Sequence, residues 1–112
     1  MLSINYFEIL SENLSLESKW FLVILQQQKE SINKEQLWEL TNKSYRKIQS
    51  TGDNKGNTDP AHLISSRYSL DIHTARLEGA GLVQVKELGR MRLYSITSLG
   101  KQLLEYIKQN NN

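Results

Sequence analysis

The stretch from Arg76 to Gly100 constrains the fold of this chain more than any other part. A helical pattern ending in Arg76-Leu77-Glu78-Gly79-Ala80-Gly81 runs into Leu82-Val83-Gln84-Val85-Lys86. A Gly89-Arg90 turn, the segment Met91-Arg92-Leu93-Tyr94-Ser95-Ile96-Thr97 and a new helix near Ser98 follow. Val83 and Val85 alternate with Gln84 and Lys86, and Tyr94 and Ile96 alternate with Leu93, Ser95 and Thr97, which is the period of half-buried strands. Gly89 permits the positive φ of a tight turn, while Lys86, Arg90 and Arg92 gather positive charge around its tip. The chain is therefore expected to be mainly α with one small β-hairpin, an α+β class.

A length of 112 residues suits one compact domain. Apolar residues make up only 38% of it, so a second copy of the chain is expected to help close the core. Without cysteine there is no disulfide framework, thiolate zinc site or cysteine nucleophile, which suits a reducing compartment. The longest apolar run, Trp20 to Leu25, is far too short to span a membrane, and the N-terminus lacks the basic start and cleavage site of a signal peptide. A cytoplasmic location without membrane contact is expected. Charge is uneven: residues 1–40 carry three Lys and six Glu, a net −3, whereas residues 41–112 carry eleven Lys or Arg and six acids, a net +5. The basic excess falls with the hairpin and the helix before it.

Ile4, Phe7, Ile9 and Leu10 predict a short first helix to about Glu12. A second, from Leu16 or Glu17 to about Lys29, is apolar on nearly all sides, as in a central core helix. Asn33 followed by Gln36 predicts a capping box opening a third helix, which carries Leu37, Leu40, Tyr45 and Ile48 toward the core. That helix either continues to Gln49 or breaks at Thr41-Asn42-Lys43. Residues 50–59 hold two glycines and no apolar side chain and read as a loop. Asp59-Pro60 predicts the start of the segment that ends at Gly79, as one helix or as two joined at Ser65-Ser66. The last helix covers 98–109. In all, residues 1–112 are read as one domain: helices over 4–29 for core and dimerisation, a helix-turn-helix over about 34–79, the hairpin over 82–97 and the closing helix.

At 3.6 residues per turn, the segment before the hairpin sorts into three rows. Leu63, Leu70 and Leu77, with Thr74, form a stripe for the core. Ile64, Tyr68, Ile72 and Ala75 form a second apolar stripe, expected to make the dimer contact. His62, Ser65, Ser69, His73 and Arg76 form a polar row suited to base edges in a major groove. Ser66 and Arg67, where a helix break would re-aim the chain, join Ser65, Ser69, His73 and Arg76 as candidate DNA-binding residues. Lys86, Arg90 and Arg92 suit phosphate or a narrow minor groove.

Little here suggests catalysis. The two histidines, His62 and His73, would sit roughly 16 Å apart on one helix, the carboxylates are scattered, and Gly52 to Gly56 lacks the lysine and hydroxyl of a phosphate-binding loop. No enzyme activity, metal or cofactor is expected, and Trp20 and Trp38 are read as core rather than as a ligand pocket.

Arg76-Leu77-Glu78, Gly81-Leu82-Val83, Gly89-Arg90, Tyr94-Ser95-Ile96-Thr97, Gly100 and Leu103-Leu104 in this order resemble the winged helix-turn-helix regulators of the MarR and PadR type, over about residues 60–107. The resemblance implies a homodimer on double-stranded operator DNA, with the helix before the wing in the major groove. Its leading implication is a transcriptional regulator. The small size and the Leu88-Gly89-Arg90, Leu93-Tyr94-Ser95-Ile96-Thr97 and Leu99-Gly100 series also resemble the TubR family of centromere-binding adaptors. That alternative implies a protein that coats DNA repeats and recruits a partition motor protein. The loop over 51–58 is longer than the usual turn of this motif and leaves the start of the recognition helix open. A second placement, with helices over 34–40 and 44–49, would bring Lys43, Arg46 and Lys47 to DNA.

Overall fold

The computed structural model describes residues 6–50 and 62–110. They form α1 (Tyr6–Asn13), α2 (Leu16–Gln27), β1 (Ile32–Asn33), α3 (Lys34–Ser50), α4 (Arg67–Gly79), β2 (Val83–Leu88), β3 (Met91–Ile96) and α5 (Ser98–Gln109). The chain is thus mainly helical with a small antiparallel sheet, a winged-helix-like arrangement. The expected helix start at Ile4, the Asp59-Pro60 start signal and the glycine-containing loop after Ser50 lie outside the described residues.

Helix α2 is the spine. Phe21, Leu22, Ile24 and Leu25 are all buried, because α2 packs against α3, α4, α5 and β3 at once. Burying one such side chain contributes roughly 1.5–3 kcal/mol, so this one helix carries much of the hydrophobic stabilisation. Its start is fixed by Ser15, whose hydroxyl accepts the Ser18 N–H at 3.1 Å, satisfying a donor with no partner inside the helix.

The capping box at α3 is reciprocal. Asn33 Oδ1 accepts the Gln36 N–H at 2.8 Å and Gln36 Oε1 accepts the Asn33 N–H at 3.0 Å. The helix then runs without a break through Thr41, Asn42 and Lys43, which removes the second placement of the helix-turn-helix. Thr41 and Asn42 are poor helix formers, but both are buried, and tertiary packing overrides weak local preference. Ile48, expected in the core, is 55% exposed.

The sheet has three strands in the order β1-β3-β2, where the sequence predicted only the hairpin. The hairpin register runs from Val83↔Ile96 to Leu88↔Met91 around Gly89-Arg90, with Gly89 at φ 64°. The added strand pairs Ile32 with Tyr94 and Asn33 with Leu93, so the residue that caps α3 also stands in the strand that extends the wing sheet. The last helix is capped by Thr97, which accepts the Gly100 N–H at 3.1 Å and donates to the Gly81 carbonyl at 2.8 Å. That double use ties the start of α5 to the end of α4 beneath the wing.

Candidate nucleic-acid interface

Helix α4 enters after an N-cap at Ser66, whose side chain accepts the Ser69 N–H at 3.1 Å. The stretch before the cap is held by α3. Asn42 Nδ2 donates to the Ile64 carbonyl at 2.9 Å, Asn42 Oδ1 accepts the Ile64 N–H at 2.8 Å, and Trp38 Nε1 donates to the same carbonyl at 2.9 Å. A buried side-chain amide thus serves the backbone of Ile64 as a neighbouring strand would. Sequence reading did not single out Asn42, because a lone asparagine within a helix gives no sign of a partner twenty-two positions on.

The far end of α4 closes as a Schellman motif, with Leu82 N–H bonded to the Leu77 carbonyl and Gly81 N–H to that of Glu78. Gly81 takes φ 76°, the left-handed value this motif needs. Both ends of the helix are therefore fixed before the wing begins.

The predicted site residues do not all share a surface. Leu70, Thr74 and Leu77 face the core as expected. Ile64 does too, at 1% exposure, so its expected place in a dimer face is corrected. Helix α4 starts at Arg67, and helical periodicity cannot be extended back to residue 64. Tyr68 at 75% exposure, Ala75 and the half-buried Ile72 remain on the outward strip. At ~100° per residue, Ser69 and Arg76 border that strip on one side and Arg67, Asp71 and Glu78 on the other. Ser65 and Ser66 stand exposed just before the helix.

His73 turns inward. Its Nδ1 lies 3.0 Å from the hydroxyl of Ser15, the cap of α2, and its Nε2 lies 4.0 Å from Glu17, so a base-edge contact for it is corrected. Burial lowers its pKa from the ordinary 6.5, Glu17 pulls it up and Arg76 pushes it down. The unfolded chain then takes up a proton at higher pH than the folded one. The His73 packing contributes fully above pH 6.5 and is lost as pH falls through 6.5 toward the folded value. Thermal unfolding between pH 7.5 and 5.5 should show a steeper fall for the wild type than for His73→Gln. Parallel curves would acquit His73.

Charges on the other border are tied. Lys34 bonds Asp71 at 2.9 Å, and Arg67 pairs with Glu35 while lying 5.6 Å from the Trp38 ring. Arg92 Nη2 bonds Glu78 at 2.9 Å, its Nη1 meets Glu87 at 3.4 Å and its Nε the Tyr94 hydroxyl at 3.5 Å. The Tyr94 hydroxyl, and after it Glu78, raises the Arg92 pKa from its ordinary value. The register explains the split within the wing. Glu87 and Arg92 are partners, as are Lys86 and Leu93, and successive side chains point to opposite faces. Arg92 accordingly shares the inner face with Tyr94, and Lys86 takes the outer one. Among the described residues Arg76, Lys86 and Arg90 are exposed and form no ion pair. The described residues hold no group of three or more His, Asp or Glu placed for a metal ion, and none of their helices is long and apolar enough to cross a membrane.

No family model matches the chain. Among solved structures it is similar to RV1404 from Mycobacterium tuberculosis, with TM-score 0.63 and 18% identity over 92% of this chain and 56% of that one. It is also similar to SSV1 F-93, with TM-score 0.52 and 14% identity over 82% of each chain. A TubR of type III plasmid segregation superposes with TM-score 0.59 and 15% identity over 98% of this chain and 91% of that one. At these identities the structures show a shared fold. The sequence comparison goes further: 38% identity over 115 aligned positions, covering 99% of this chain and 93% of the relative, links it to the DNA-binding protein TubR of Bacillus cereus. That identity, sustained along nearly the whole of both chains, places this protein in the TubR family.

Proposed function

We propose that the chain binds double-stranded DNA as a homodimer and is the centromere-binding adaptor of a plasmid partition system, recruiting a motor protein to the DNA it coats. The observation that carries this reading is the near full-length match to the DNA-binding protein TubR. The likeness to a TubR of type III plasmid segregation favours partition over transcriptional regulation. The surface agrees in chemistry. Ser65, Ser69 and Arg76 offer donors to base edges, Lys86 and Arg90 offer unpaired cations to phosphate, and Ser66, its side chain spent on the cap, adds exposed backbone at the helix start. Tyr68, Ile72 and Ala75 supply the self-contact, which sets the recognition helices of two copies side by side.

Footprinting on plasmid DNA tests the role. Protection over an array of repeats is expected, whereas protection of one isolated palindrome would replace partition with operator binding. Salt titration tests the surface. Removing one phosphate contact flattens the log-log dependence of affinity on salt by about 0.9, so replacing both Lys86 and Arg90 with alanine should flatten it by about 1.8. A slope equal to that of the wild type would take the wing out of the interface.

A further inference from the structure

The wing and α4 are joined by a device with a geometry of its own. Asp71 and Glu78 are seven residues apart, two turns of α4, so their carboxylates lie on one flank roughly 10 Å apart. Each meets a cation from the sheet side: Lys34, next to β1, and Arg92 in β3. Both cations lie 6.0 Å from the centre of the Tyr94 ring, which is itself 2% exposed. All three guanidinium nitrogens of Arg92 have partners: one on α4, one across the hairpin and one on the buried tyrosine.

We infer that Arg92 is a positioning residue, a strut between wing and recognition helix that sets where Arg90 and Lys86 reach, and not itself a phosphate contact. This rests on the DNA-binding reading of the same surface. Three of the five N–H donors of Arg92 are engaged and two carboxylates already offset its charge, so turning it toward phosphate would strain the link to α4. Arg90 and Lys86 have no such link to lose among the described residues. The isolated ion pairs are partly exposed and weak singly. The fork geometry of Arg bonded to two carboxylates and a hydroxyl restricts orientation in a way that a single lysine pair does not.

The charge logic gives a test with opposite signs. Glu78 is an exposed anion on the flank of α4 that meets the wing through Arg92, so removing its charge would strengthen DNA binding if the residue were only a nearby anion. If it anchors the strut, Glu78→Gln weakens binding about as much as Arg92→Ala, several-fold. The double variant is then no worse than either single one. Arg92→Ala should leave the salt slope at the wild-type value, where Arg90→Ala flattens it by about 0.9. Arg92→Lys should recover little. In the free protein, amide hydrogen exchange over residues 87–92 should be several-fold faster in both Glu78→Gln and Arg92→Ala, an outcome that does not depend on any DNA. Unchanged exchange overturns the strut even where the DNA reading stands. Tighter binding by Glu78→Gln, or a flattened slope in Arg92→Ala, returns Arg92 to the phosphate contacts. Faster exchange in a protein that binds no DNA would instead leave the strut and remove the function proposed for the surface.

Discussion

Replacing Gly100 with alanine is expected to lower the thermal unfolding midpoint by about 8 °C or more. A Cβ at this position would lie 2.4 Å from the Leu82 carbonyl oxygen and 2.7 Å from Ile96 Cγ1. The isoleucine could turn aside. The carbonyl cannot, because it is backbone and already accepts the Thr97 N–H at 3.0 Å. Helix α5 would therefore have to back away from the base of the wing, loosening the Thr97 cap and the packing of Leu103, which is fully buried. Overpacking typically costs about 1–3 kcal/mol, and contact with fixed backbone puts this position at the top of that range, against a gain of at most about 1 kcal/mol from the higher helix propensity of alanine. Gly79→Ala is the control. Gly79 is exposed at the end of α4 and an added Cβ there meets nothing within 4 Å, so its midpoint should stay near that of the wild type. Circular dichroism melts of both variants suffice, and equal midpoints would mean that the close approach of α5 is not what fixes this position.

Local chemistry explains what is legible directly in the sequence. The Asn33–Gln36 box, the strand alternation around Gly89-Arg90 and the tight helix end before Leu82 each act over three to six residues, and each is present in the fold. The resemblance to the TubR family is legible in the wing motifs and is the one that full-length identity carries. Non-local pairing is not legible. Strand β1 has two residues and thus no period, and it exists because Ile32 and Asn33 meet Tyr94 and Leu93. The burial of His73 depends on Ser15, and the unbroken course of α3 depends on burial of Thr41 and Asn42. Ile64 departs from its expected stripe because helical phase does not hold for a residue that precedes the start of α4 by three positions. The inward side of Arg92 is implicit in the sequence, since its parity matches Tyr94 and Ile96. Grouping cations by closeness to the turn hides that signal.

Asn42→Ala should both destabilise the protein and impair DNA binding beyond what its unfolded fraction explains. The amide of Asn42 satisfies the buried N–H and carbonyl of Ile64. After truncation Trp38 still donates to that carbonyl, but the N–H is deprived of the acceptor it has in the fold. A buried donor left unpaired costs about 1–3 kcal/mol, and the small cavity adds to it. Trp38→Phe removes one of two donors to the carbonyl and leaves the N–H paired, so its cost should be smaller. Asn42→Asp keeps an acceptor for the N–H but places a carboxylate in a buried site against the Ile64 carbonyl, and it should be at least as damaging as alanine. The functional consequence follows from position. Ile64 immediately precedes Ser65 and the Ser66 cap, so slack there displaces Ser65 and, in the first turn of α4, Tyr68 and Ser69, the residues proposed to meet DNA or a second copy. Hydrogen exchange at the Ile64 amide and DNA affinity, both measured well below the melting midpoint, separate the two effects. Reduced protection with a several-fold weaker complex is the expected pair. Full protection at Ile64 in Asn42→Ala would show that the anchor of α4 lies elsewhere.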